Sequence, residues 1–123
     1  MDYTDLEVWK LASEVVIEIH RMTLHDLPKF EMYETGNQIR RSSKSVKSNI
    51  VEGYGRRQSK KEFVHFLRFA IASNDETRDH LMTLFDTGSL RDKVVYDRIR
   101  TKTEILGRKL NLFIKAVNKN HRE

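Results

Sequence analysis

The stretch IRTKTEILGRKLNLFIKAV, residues 99–117, decides the fold. Within it Ile99, Thr103, Leu106, Leu110, Phe113 and Val117 recur at four-three-four-three-four spacing. Residues so spaced share one face of an α-helix. The repeat holds for about three heptads and predicts a left-handed crossing of about 20° against neighbouring helices. A helix with a single apolar face needs other helices to cover it.

Upstream, the same reading finds three more. Trp9, Ala12, Val16 and Ile19 form one stripe, and Val8, Leu11, Val15 and Met22 widen it. A stripe this broad suits either a deeply buried helix or one shared between a core and a subunit interface. Thr4 or Asp5 is the expected cap, and the chain should break at His25-Asp26-Leu27-Pro28, because proline disfavours the helical region for its predecessor. The second helix runs from Met32 or Tyr33 to Tyr54, along Ile39, Ser43, Val46, Ile50 and Gly53 or Tyr54. Its small residues Ser43 and Gly53 admit a neighbouring backbone. Gly53 and Gly55 bracket its end, where a left-handed residue commonly stops a helix. The third opens on Ser59-Lys60-Lys61-Glu62, a capping box, and follows Phe63, Phe66/Leu67, Ala70, Asn74, Thr77, Leu81 and Leu84/Phe85. Asn74 and Thr77 interrupt that core stripe; they are either half-exposed or hydrogen-bonded across the bundle. Gly88 closes the helix or the loop after it. Asn118 to Glu123 are polar and expected to fray.

These elements, about 5–25, 33–54, 60–87 and 91–118, fit one domain spanning residues 1–123. Short connections make neighbours antiparallel, so the expected fold is all-α, an antiparallel up-down-up-down four-helix bundle. Composition agrees. One proline and five glycines in 123 residues are too few for the turns of an all-β fold. Charged residues at 33% suit a protein with wet outer faces.

Several chemistries lack their residues. Without cysteine there is no disulfide, thiolate metal site or cysteine nucleophile. A di-iron bundle needs two Glu-x-x-His pairs, whereas only Glu62 and His65 have that spacing, and Glu62 belongs to the capping box. Gly53-Tyr54-Gly55 follows no strand and is better taken as a helix end than as a phosphate loop. The serines at 42, 43, 45 and 48 have no adjacent histidine and carboxylate to make a triad. The expectation is a non-catalytic protein with no cofactor and no metal. No run approaches the roughly 18 apolar residues of a membrane span. Met1 to Glu7 is acidic and unlike a secretion signal, which makes the cytoplasm the expected compartment and a membrane partner unexpected.

Charge is the asymmetric feature. The net charge is +5. Between Arg40 and Arg68 stand nine basic residues, Arg40, Arg41, Lys44, Lys47, Arg56, Arg57, Lys60, Lys61 and Arg68, against Glu52 and Glu62. That segment is +7, so the remainder carries −2. The first eight are the candidate nucleic-acid-binding residues, because phosphate contacts need cations and little else. Ser42, Ser45 and Ser48 would add neutral donors, and Tyr54 would stack on an exposed base. The competing reading is a merely solvated charged face. Lys60 and Lys61 oppose the dipole of the helix they begin, at about 0.3–1 kcal/mol each, which a bound anion would offset.

The motifs Asp5-Leu6-Glu7-Val8-Trp9-Lys10-Leu11-Ala12 and Leu27-Pro28-Lys29-Phe30-Glu31 resemble those of the bacterial four-helix bundle proteins called 23S rRNA intervening-sequence proteins, or the S23 family. So do Gln38-Ile39-Arg40-Arg41-Ser42, Ser45-Val46, Asn49-Ile50-Val51-Glu52-Gly53, Arg56, Glu62-Phe63, Phe66-Leu67 and Ile71-Ala72. After Ala72 the family usually has a Gly-Ser-Leu-type segment followed by Glu-Leu; here Ser73-Asn74-Asp75-Glu76-Thr77 stands instead. The resemblance implies an antiparallel four-helix bundle and a ring-shaped homopentamer. It also implies kinship with the accessory variability protein of diversity-generating retroelements, a basic pentamer that binds nucleic acid and a reverse transcriptase. Family members are encoded within inserts in rRNA genes, which suggests an association with rRNA.

Two functions follow as expectations. One is a non-catalytic oligomer binding structured nucleic acid, rRNA or DNA, through its basic face. The other is a scaffold docking an acidic or polymerase-like protein. Arg40 and Arg41 have a further reading, as structural residues, either of which would pair with an acidic residue of another helix or subunit.

Overall fold

The computed structural model describes residues 1–120. Its four long helices are α1 (Glu7–His25), α2 (Thr35–Gly55), α3 (Lys60–Asp86) and α4 (Lys93–Asn120). Short 3-10 turns, Tyr3–Asp5 and Lys29–Tyr33, precede α1 and α2. Each helix packs on two neighbours, α1 on α2 and α4, α3 on α2 and α4, and α2 on α3 most extensively. Among the described residues the backbones of the diagonal pairs do not come close, with no Cα atoms within 8 Å.

Cross-helix contacts fix the directions. Glu7, Glu14 and Glu18 of α1 pair with Lys109, Lys102 and Arg98 of α4, so the two helices run oppositely. Between α2 and α3, Ser42 meets Thr77 and Ser45 meets Ser73, while Gly53 lies against Phe63 and Phe66. Between α3 and α4, Phe63 meets Phe113 and Phe85 stacks on Tyr96. All three descending orders are antiparallel, giving the expected up-down-up-down bundle. The α2–α3 connection therefore shares one end of the bundle with the start of α1 and the end of α4.

The core follows the sequence stripes with small rotations. In α4 the buried residues are Val95, Ile99, Thr103, Leu106, Leu110, Ile114 and Val117, and Phe113 packs at the edge. In α1 they are Val8, Ala12, Val15, Ile19 and Met22 with Thr23, so the centre lies between the two expected stripes, and Trp9 and Val16 flank it. Each fully buried aliphatic side chain contributes about 1.5–3 kcal/mol.

The polar interruptions of α3 are core residues with partners in other helices. Thr77 is fully buried; its hydroxyl lies 2.8 Å from Ser42 Oγ and donates to the Ser73 carbonyl at 2.8 Å. Asn74 Nδ2 donates to the Thr103 carbonyl of α4 at 2.9 Å. A Cβ on Gly107 would approach that same amide at 3.2 Å, which explains glycine in the middle of α4. Of the two readings left open, hydrogen bonding across the bundle is the one realised.

Several helix ends differ from expectation. Thr4 and Asp5 do not cap α1. The Asp2 N–H donates to Asp5 Oδ2 and the Thr4 hydroxyl to Asp2 Oδ2, each at 2.9 Å, so both side chains serve the preceding turn. The start of α2 falls at Thr35 because Glu31 caps it from outside: its carboxylate accepts the Thr35 N–H at 3.1 Å and the Ser89 hydroxyl at 2.6 Å. Glu31 is buried and joins the α1–α2 and α3–α4 connections, which share that end of the bundle. Asp92 caps α4 through the N–H groups of Val94 and Val95. The α4 helix continues through Asn120, beyond the expected fraying point; the rest of that expectation, residues 121–123, lies outside the described residues. Neither Gly53 nor Gly55 is left-handed; among the described glycines only Gly88 is, with φ of 81°, and it closes α3.

Candidate nucleic-acid interface

The eight candidate cations do not form one patch. At about 1.5 Å per residue, Arg41 lies roughly 22 Å from Arg56 along α2. Arg41 and Lys44 are exposed on the outer face of mid-α2. Arg56, Arg57, Lys60 and Lys61 gather where α2 hands over to α3, and Arg68 stands two turns further along α3.

Arg40 is turned into the fold. Its Nη2 donates to the Met32 carbonyl at 2.7 Å, and its Nη1 is buried without a partner. Arg40 is therefore a structural residue, but its partner is a backbone carbonyl of the turn before α2 and not an acidic side chain of another helix, and it is not among the accessible cations. Lys47 is half-buried, with its ammonium 4.8 Å from the centre of the Trp9 ring, a cation–π tie between α2 and α1.

At the corner, Arg56 is held by two carboxylates. Its Nε donates to Glu52 at 2.7 Å and its Nη1 to Glu62 at 2.9 Å, while the guanidinium lies over Phe66 at 5.1 Å. The Glu52 hydrogen bond, then the Glu62 one, push the Arg56 pKa upward, and the exposed pair is screened by water. This also corrects the capping box. Ser59 Oγ does accept the Glu62 N–H at 3.2 Å, but the Ser59 N–H is spent on the Arg56 carbonyl at 3.0 Å. Glu62 therefore reaches Arg56 instead of turning back. Arg57 donates to the Tyr54 carbonyl at 2.9 Å and stacks on the Tyr54 ring at 4.1 Å. With that stack, and with Phe63 at its edge, Tyr54 is half-buried and is not an open stacking surface.

The neutral donors also change. Ser42 is buried against Thr77, and Ser45 bonds Ser73 at 2.9 Å and Asn49 at 3.2 Å. Both belong to the α2–α3 seam, and Ser48 alone of the three is exposed.

Beside this corner lies a shallow groove of about 590 Å³ at the start of α3, lined by Lys60, Lys61, Glu62, Val64, His65, Arg68 and, from α4, Asn118. Lys61, His65 and Arg68 fall on one helical face at four-three spacing and are exposed. Sequence reading missed two features here. His65 and Phe69, both exposed, form an aromatic cluster with the half-buried Phe66, with His65–Phe69 centroids 4.5 Å apart. The available signal was Phe69 standing off the core stripe. The other is Asn118, which depends on how α4 ends. Among the described residues no three His, Cys, Asp or Glu side chains converge as metal ligands, and no helix is long and apolar enough to cross a membrane.

The antiparallel bundle with a cationic corner on its α2–α3 connection defines an all-α protein of the four-helix class. The family model for the 23S rRNA-intervening sequence protein matches residues 4–112, and the chain belongs to that family. A crystal structure of a protein of unknown function from the S23 ribosomal protein family of Bacteroides thetaiotaomicron shares the fold, with a TM-score of 0.78. The two are 24% identical, over 88% of this chain and 98% of that one. No curated protein matches the chain.

Proposed function

We propose that the protein is a non-catalytic, oligomeric bundle of the cytoplasm that binds structured nucleic acid, rRNA or DNA, through the α2–α3 corner. The observation that carries this reading is the groove at the start of α3. Lys60, Lys61 and Arg68 line it, and the opposing carboxylate Glu62 is taken up by Arg56. Cations held on a rigid helix suit phosphate oxygens without reading sequence. Arg57, and Arg41 and Lys44 further along α2, extend the positive surface. The family's name supports rRNA as the nucleic acid. The homopentamer implied by the family resemblance belongs to the same reading, and Ile17 and Leu24, half-exposed on α1, suit a subunit contact.

The test is filter retention of rRNA fragments and duplex DNA at two salt concentrations, with mass measured in parallel. Retention that weakens steeply with salt is the expected result. No retention even in low salt, together with an acidic protein partner that survives nuclease treatment, would replace this reading with the scaffold.

A further inference from the structure

The α3 ridge beside the groove carries a second kind of surface. Phe69 is 47% exposed, although it is a large apolar ring on a helix whose other face is fully packed. His65 lies against it with centroids 4.5 Å apart, and Phe66 stands at 6.0 Å. The Arg56 guanidinium lies over the Phe66 ring at 5.1 Å. His65 is also a wall of the groove that Lys60, Lys61 and Arg68 line. Planar rings and backbone-binding cations are thus adjacent on one helix, joined through His65.

We propose that this ridge is a stacking platform for unpaired nucleotides, with bases laid on Phe69 and His65 and their phosphates in the Lys60–Arg68 groove. The proposal rests on nucleic-acid binding at the α2–α3 corner and names the form bound. A base inside a duplex already has both faces stacked, so an exposed ring gains little from it. An unpaired base has a free π-face, and every base has one, so the platform tolerates any sequence. Charge complementarity selects this occupant over an apolar one, because the rings are flanked by cations. The preferred targets are then loops, bulges or single-stranded ends of structured RNA or DNA.

The test is fluorescence anisotropy with two labelled probes, a single-stranded RNA of about 12 nucleotides and an RNA duplex of equal length, a span suited to one basic groove. Wild-type protein binds the single strand more tightly. F69A weakens the single strand roughly 5- to 100-fold and leaves the duplex nearly unchanged; F69W restores single-strand binding. H65A, a second surface change, weakens the same probe. Single-strand affinity unaltered in both F69A and H65A would overturn the platform while leaving phosphate binding intact. A change of assembly mass in F69A without a change in single-strand affinity would overturn it too, making the ridge a contact between copies. Absence of salt-sensitive binding to either probe would remove the underlying reading as well.

Discussion

Gly53 and Gly55 lie two residues apart at the end of α2, and substituting each by alanine separates two explanations for glycine there. Neither has a positive φ, so alanine fits both backbones. Replacing glycine by alanine within a helix gains about 0.8–1 kcal/mol of propensity. Around Gly55 a new Cβ would meet nothing within 4 Å. G55A should therefore stabilise, by somewhat less than the full amount because the helix is ending. At Gly53 the new Cβ would stand 3.1 Å from Phe66 Cβ and 3.2 Å from the Phe63 carbonyl oxygen. Neither is the far end of a flexible side chain, so α2 must move off α3 by a few tenths of an ångström. Overpacking of this kind costs about 1–3 kcal/mol. The two variants should then differ by about 1–3 kcal/mol, with G53A the less stable. For a domain of this length that is about 4–12 °C in melting temperature, at about 4 °C per kcal/mol. Thermal denaturation followed by far-UV circular dichroism measures it. A G55A variant that loses stability would mean that its glycine is a left-handed cap after all. Equal melting temperatures would refute the tight α2–α3 approach that positions the corner.

Removing the Thr77 hydroxyl with T77V should cost about 1 kcal/mol, and with S42A in a double-mutant cycle the coupling should be about 0.5–1.5 kcal/mol, read from urea unfolding. The hydrogen bond from Lys93 holds Asp97 below its ordinary value of 3.8. A carboxylate depressed in the folded state stabilises above its unfolded pKa and loses that contribution as pH falls through the lowered value. D97N should therefore be slightly less stable than wild type at neutral pH and indistinguishable from it in strong acid, by melting temperature. E52Q/E62Q releases Arg56 from both carboxylates, so it should bind nucleic acid more tightly in low salt by anisotropy; unchanged or weaker binding would show that Arg56 does not face the ligand.

Much of the bundle is legible along the chain because a buried face repeats with the helix. Phe63, Leu67, Ala70, Asn74, Thr77, Leu81 and Leu84 are one side of α3, and even its polar members sit where the period places them. Gly53 was also legible as a place of close approach. The partner of a side chain is a different matter. Ser42 and Thr77 are 35 residues apart, and nothing local says that a serine in a basic stretch faces another helix instead of solvent. The same holds for Glu31, which caps α2 from the preceding turn and ties it to Ser89, 58 residues away. Arg40 and Arg41 are neighbours in sequence, but the 100° step of the helix turns one toward the Met32 carbonyl and leaves the other in water. Counting cations located the corner; only geometry shows that Arg56 is shared with Glu52 and Glu62, and that Lys47 lies over Trp9.

Phosphate binding at the start of α3 is tested most directly by the salt dependence of affinity for one labelled RNA hairpin, wild type against K60E/K61E/R68E. Arg56 is left in place because its ion pairs join α2 to α3. Reversal at Lys60 and Lys61 also agrees with the helix dipole, so the fold is expected to survive. Logarithmic affinity should fall linearly with logarithmic salt for both proteins. The variant should bind far more weakly in low salt, with a slope shallower by about 2–3, one phosphate contact per lost cation. Superimposed lines for a folded variant would contradict a nucleic-acid site at this corner.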